Sequence, residues 1–346
     1  MGVLRLTLTG FRRVLAAPAV LVSVYVVTLA AAAPFALVLR NSLQTHMGAS
    51  VMADAAASGV NWDWWQEFTG QARGLETTFT PSVIGFATPL DNLSALFDGS
   101  PRPPAIIAAA AVYGALWLFL WGGILDRYAR ARATRSHGFF AACGVFGFRF
   151  LRLGLIAGIM YWALFGLAHD WLLTTTYTRF TRNVTSERVA FLWRLGLYAV
   201  FGAALIVVNL VIDYAKIRAV VEDRRSMIGA FIAGSRFVIR HPVKTLSLYL
   251  LNGLLFLALL ALYAVIAPGV GGGGLDIWRA FVIGQVYLVA RLLLRLTLAA
   301  SQISLFQSSL AHAAYTAAPP RVWPESPAAE AIMNAAGSGR SLITNH

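Results

Sequence analysis

Long apolar runs alternate along this chain with short, arginine-rich polar segments. Residues 14–39, 103–125 and 245–275 contain no charged side chain, and shorter apolar runs occupy 153–168 and 195–212. A sixth run begins near Ala280 and is interrupted by Arg291 and Arg295. About 20 helical residues cross a hydrocarbon core of ~30 Å, so the pattern predicts six transmembrane helices. The expected fold class is all-α: a polytopic membrane helix bundle with interfacial cytoplasmic helices and an internal repeat.

At the start of the chain, Arg12, Arg13 and the small-residue stretch "LAAAAP" at 29–34 imitate a cleavable signal peptide. The apolar run continues to Leu39, past a signal core of about 7 to 15 residues. A retained helix is therefore expected, loosened at Pro18 and Pro34 where neighbouring helices satisfy the freed carbonyls. The preceding "VLRLTLTGFRRVL" reads as a short interfacial lead-in.

These runs divide the chain. Residues 1–39 form the lead-in and first span, and 40–104 an extracytoplasmic segment with interfacial helices. Residues 105–188 and 189–275 each hold two spans and a cytoplasmic helix. The sixth span and its extension occupy 276–315, and 316–346 has the Pro, Ala, Gly and Ser bias of a disordered cytoplasmic tail.

Composition agrees with the pattern. Hydrophobic residues make up 58% and charged residues 12% of the 346, with a mean hydropathy of +0.67, whereas a soluble domain carries about 25% charged residues. The basic residues fall on alternate loops: Arg5, Arg12 and Arg13; the segment 126–152; and the segment 213–244. The intervening segment 40–102 has three arginines against six acidic residues. By the positive-inside rule both termini and the basic loops face the cytoplasm, and the expected location is a bacterial inner membrane. The net charge of +13 is then read as topology plus contact with anionic lipid headgroups, through Arg130, Arg132, Lys216, Arg218, Arg236 and Arg240. No nucleic-acid-binding module accompanies the charge. Only Lys216 and Lys244 are lysines, so arginine abundance here reflects a compositional bias as well as chemistry.

Two basic hinges are nearly the same. "YARARA" at 128–133 recurs as "YAKIRA" at 214–219, Asp126 and Asp213 precede them, and "GFRF" at 147–150 matches "GSRF" at 234–237, at offsets of 86 to 87 residues. Each unit reads as descending helix, aspartate, basic hinge, cytoplasmic helix and ascending helix. Two such units would be parallel repeats about an axis along the membrane normal; short matches among abundant Ala and Arg are the alternative. Phe139, Cys143, Phe146 and Phe150 share one helical face, as do Ile228, Phe231, Ser235 and Val238. Two readings stand for these helices: they lie in the inner interface, or they pack under the bundle, with Gly138, Gly144 and Gly147 favouring close contact. The single Cys143 excludes an internal disulfide and reads as a packing residue.

On the outer side "NWDWWQEF" at 61–68 sets Trp62, Trp64 and Trp65 beside Asp63 and Glu67, the composition of an interfacial helix whose rings anchor at the headgroups. The stretch 80–97, with two prolines, reads as a re-entrant or interfacial segment. The glycine run after Val270 lacks the Lys-Ser/Thr of a phosphate loop and reads as a flexible connection.

Ionisable groups near the apolar zone are the candidates for chemistry. Asp126 and Asp213 close the second and fourth spans, and Arg291 and Arg295 lie within the sixth; intramembrane charges are costly and are paired or water-facing. One reading pairs the two arginines with the two aspartates, forming a buried ion-pair or pathway set; the other lets all four snorkel to the headgroups. Asn209 and Gln285 are placed to bond between helices. No two-histidine metal pattern and no Gly-x-Ser-x-Gly elbow occurs, so no catalytic residue, metal or cofactor is expected.

The six spans, the paired cytoplasmic helices and the "SRFVIRHPVKTLSLYLL" re-entry at 235–251 resemble the membrane domain attached to some glycerophosphodiester phosphodiesterases and related bacterial six-helix proteins. The resemblance covers roughly 105–310. It implies an inner-membrane bundle and, with the hydrolytic domain absent, carries over no activity and no site residue. The expected function is a non-catalytic membrane-complex subunit or scaffold contacting lipids or another membrane protein. A transporter or lipid-translocating protein using the repeat interface is the alternative, and a membrane-embedded enzyme the third. A polar cavity between the units favours transport; a tightly packed interior favours a scaffold.

Overall fold

The computed structural model describes residues 2–58, 61–79, 94–95, 97–100, 104–130, 135–267 and 274–312. Among them the secondary structure is helical throughout. Six helices are long and apolar enough to cross a membrane: α2 (Pro18–Ala49), α5 (Pro104–Arg130), α6 (Ser136–Thr181), α7 (Glu187–Val221), α9 (Pro242–Ile266) and α10 (Leu275–His312). Shorter helices accompany them: α1 (Val3–Leu15), α3 (Ala53–Ser58), α4 (Trp62–Gln71) and α8 (Met227–Arg240). Residues Met1–Ser309 form one compact unit. Arg132 and most of 80–97 lie outside the described residues, as do the glycine run and the tail beyond 312.

Local chemistry sets the helix ends. Asn61 caps α4 by accepting from the Trp64 amide at 2.9 Å, and Ser226 caps α8 by accepting from Gly229 at 3.2 Å. Pro18 and Pro242 occupy first-turn positions, where the missing amide costs nothing. Pro34 falls inside α2, and the helix continues through it.

The two basic-end helices differ from the expected pair. In the first unit, residues 136–152 are not a separate helix but the opening turns of α6, which runs 46 residues. In the second, α8 ends at Arg240 and α9 starts at Pro242. The sequence explains the difference: "GFRFLRL" continues without a breaker, whereas "GSRFVIRHP" meets a proline that can extend no preceding helix. The C-terminal half of α6, away from the basic end, also opens into two π-helical stretches, Ala163–Ala168 and Trp171–Thr176.

Packing at this end is glycine-mediated. Phe139, Cys143, Phe146 and Phe150 are all buried, so the predicted face exists, but it packs on α5 rather than lying in the interface. A Cβ on Gly123 would come within 2.7 Å of the Cys143 sulfur, and one on Gly122 within 2.9 Å of the Ala142 carbonyl. These tightest approaches are at glycines of α5; of the expected α6 glycines, Gly147 has Phe119 at ordinary contact distance and Gly144 faces open space. In α8 the expected face is displaced. Of the expected face Val238 is buried, Phe231 and Ser235 are half-buried and Ile228 is exposed, while Met227, Ala230, Gly234 and Phe237 also face the core, because Gly234 presses directly on the α7 backbone at Ala215.

The second half of α10 runs through the middle of the basic end. Leu292, Leu296, Ala300, Ile303 and Phe306 are buried. Thr297 and Ser301 of α10 meet Gly10 of α1, where any Cβ would collide with the Ser301 hydroxyl oxygen. Arg13 of α1 donates to the Gln307 amide oxygen at 3.1 Å and to the Tyr128 carbonyl, and Gln307 donates to the Ala129 carbonyl at 2.8 Å. Phe306 meets Phe237 of α8 edge-on at 5.1 Å. The lead-in helix is therefore half core: Leu6 and Val14 are buried, and Leu4 and Leu8 point outward.

Candidate functional site

A cavity of about 320 Å³ opens where α5, α6, α7, α9 and α10 meet. Its charged lining is Asp213 and Lys216 from α7 and Arg295 from α10. Each of the three is held in a different way.

Asp213 accepts from Lys216 Nζ at 2.7 Å, one helical turn away, and from Gln302 Nε2 of α10 at 3.4 Å. Lys216 is turned inward over Trp121, 4.9 Å from its ring centre. Arg295 is held by aromatic groups on α5. Its guanidinium carbon sits 3.6 Å above the Trp117 ring centre and 5.6 Å from that of Trp121, and it donates to the Tyr113 hydroxyl at 3.3 Å. Tyr113, Trp117 and Trp121 recur every four residues, which puts all three on one face of α5.

Depth follows from helix length. Trp117 is 13 residues from Pro104 and 13 from Arg130, about 20 Å from either end at 1.5 Å per residue. Arg295 therefore lies level with the middle of a span. Among the described residues no carboxylate lies within ion-pair distance of it. A cation at mid-membrane costs about 2.5–3.5 kcal/mol on insertion scales, and a desolvated cation–π stack returns about 2 kcal/mol. The Tyr113 hydrogen bond and the charge of Asp213 on the same cavity wall add to this, and an anion in the cavity would add further.

Neutral polar groups complete the lining. Tyr161 of α6 donates a short hydrogen bond to the Asn209 amide oxygen of α7, and Tyr249 of α9 is hydrogen-bonded to Asn209 as well. The expectation that Asn209 and Gln285 bond between helices holds, since Gln285 of α10 accepts from Tyr25 of α2 at 2.9 Å.

The four intramembrane charges do not form the expected set. Asp126 is ion-paired with Arg130 of its own hinge at 2.7 Å, as Asp213 is with Lys216. Arg291 is exposed and lies over Phe256 of α9 at 5.9 Å. The aspartates sit one turn from a hinge cation, so the local pair forms first and leaves α10 arginines to the rings. The sixth helix does insert at the basic end, but Gln302, not an arginine, reaches Asp213.

The other expected contacts divide by exposure. Arg236 and Arg240 are exposed on α8 and remain available to headgroups. Arg218 is drawn in by Glu222 at 3.2 Å and lies over Phe306, so it serves the fold. Of the three tryptophans, Trp62 is exposed as an interfacial anchor should be. Trp64 is only 5% exposed and stacks on Phe68 at 5.3 Å beside His46 of α2; it is the core of a small cap. Trp65 flanks the same cap through Phe68 and Phe79.

Trp117, Trp121, Tyr161, Tyr249 and Gln302 were not singled out by the sequence. The four-residue aromatic period of α5 was the available signal, but an aromatic stripe in a span is also what lipid-facing or core helices carry. No known protein family, curated protein or solved structure matches this chain.

Proposed function

We propose that this chain is a multi-pass membrane protein that takes an anionic ligand into the cavity between α5, α7 and α10, in the manner of a carrier or lipid-handling protein. The observation that supports this is Arg295: a mid-span cation on the wall of a 320 Å³ cavity, held by rings and not by a carboxylate. A cavity in that size range accommodates a headgroup or small metabolite. The reading prefers handling of a ligand over a purely scaffolding role, because Arg295 lines a cavity without a carboxylate in direct contact among the described residues.

The same proposal places the basic end and both termini in the cytoplasm of a bacterial inner membrane, by the distribution of arginine. It also takes the two hinges as parallel repeats. Asp126 and Asp213 each pair with a basic residue three or four positions on, and Tyr128 and Tyr214 are each buried. Only the second unit contributes charged groups to the cavity.

Native mass spectrometry of the protein extracted gently from its own membrane tests the reading. The expected result is one defined anionic lipid or small anion on the wild-type chain, absent from Arg295→Gln. A second polypeptide in fixed ratio, with no anionic ligand in either protein, would replace it with the scaffold reading.

A further inference from the structure

The charges on the cavity wall do not cancel, and their sum narrows the ligand. Lys216 and Arg295 each carry one positive charge and Asp213 one negative charge, so the site as built holds one unmatched cation. Arg295, Lys216 and Trp121 all line the cavity, with the Trp121 ring centre 5.6 Å from the Arg295 guanidinium carbon and 4.9 Å from Lys216 Nζ. The rest of the polar wall is neutral. Tyr161, Asn209, Tyr249 and Gln302 offer hydroxyls and amides, which recognise hydroxyl groups and have no preference for further charge.

We infer that the ligand is a singly charged anion bearing hydroxyl groups, the chemistry of a phosphodiester headgroup carrying a polyol. This rests on the proposed function and specifies its substrate class. The anionic phosphodiester would sit against Arg295 and Lys216, where the planar guanidinium can donate two parallel hydrogen bonds. Its hydroxyls would face Tyr249, Asn209 and Gln302.

Three competing classes are disfavoured by the same wall. A phosphomonoester brings a second negative charge that meets Asp213 without a partner. A zwitterionic headgroup brings an ammonium into a site already holding two cations. A monoanion without hydroxyls makes no hydrogen bond to Tyr161, Asn209, Tyr249 and Gln302, which then keep only their bonds to one another and to Asp213.

Competitive loading of the full chain with lipids of equal acyl composition, read by native mass spectrometry, tests this. The probes are phosphatidylglycerol, phosphatidylmethanol, phosphatidic acid and phosphatidylethanolamine, with glycerophosphoglycerol as the free, deacylated headgroup. Phosphatidylglycerol should bind at least tenfold more tightly than each of the other three lipids. Gln302→Leu should shrink its advantage over phosphatidylmethanol and leave the advantage over phosphatidylethanolamine. Competition by the free headgroup at similar concentration marks a soluble ligand, and its failure to compete marks a lipid; both are consistent with the inference. Equal binding of phosphatidylmethanol overturns the hydroxyl part, and tighter binding of phosphatidic acid overturns the single charge; in both cases the anion-handling function survives. If no anionic probe binds, that function fails with the inference.

Discussion

The Arg295 guanidinium carbon lies 3.6 Å from the centre of the Trp117 indole, at the middle of the α5 span. Arg stacks on an aromatic face with its planar guanidinium and keeps in-plane donors free, which the compact ammonium of lysine does not. Arg295→Lys should therefore fail to preserve ligand binding even though charge is kept. A loss of at least tenfold in anion affinity, about 1.4 kcal/mol, is expected for both Arg295→Lys and Trp117→Leu. Binding within twofold of wild type in Arg295→Lys would show that charge alone suffices.

Asp213 has its ion partner on its own helix. Asp213→Asn and Lys216→Met should show a coupling of about 0.5–3 kcal/mol in a double-mutant cycle of thermal stability in detergent. Asp213→Asn and Arg291→Gln should instead add, because Arg291 lies over Phe256. Non-additivity in the second cycle would restore the direct link between α10 arginines and the aspartate.

Gly234 has no room for a side chain: a Cβ there would lie 2.8 Å from the Ala215 amide nitrogen. Backbone cannot yield as a flexible side chain can, so Gly234→Ala should destabilise by roughly 1–3 kcal/mol, the range for overpacking. Gly144→Ala, into open space, is the control and should be neutral or slightly stabilising. The difference in detergent melting temperature between the two variants decides it.

At the opposite end Asp98 accepts from the Tyr198 hydroxyl at 2.5 Å and from Ser94 at 3.1 Å, and His169 Nε2 is 2.7 Å from the Phe97 carbonyl. The hydrogen bond from Tyr198, then that from Ser94, holds the Asp98 carboxyl below its ordinary value. A carboxylate depressed in the folded state contributes stability above its unfolded value of about 3.9, lost as pH falls through the folded value. Protection of residues 94–100 from proteolysis should thus be level from neutral pH down to about 4 and fall below it. Tyr198→Phe, which moves the folded value back toward the unfolded one, should lower the protection at neutral pH and flatten that fall. An unchanged profile in the variant would remove Tyr198 from the clasp.

Length and apolarity determined the membrane-spanning helices: each needs to satisfy its own backbone in hydrocarbon, and that requirement is local. The period of Phe139, Cys143, Phe146 and Phe150 gave their shared face. Partnership was not legible. A run of apolar residues in a span looks the same whether it faces lipid or protein, so neither the α5 glycines under Cys143 nor the displacement of the α8 face could be read. For the charges, the sequence placed Asp213 and Arg295 near one another along the membrane normal. Only the tertiary structure decided that Lys216 would take the aspartate while Trp117 took the arginine, because lateral contact depends on how helices rotate and pack, and no residue encodes that alone.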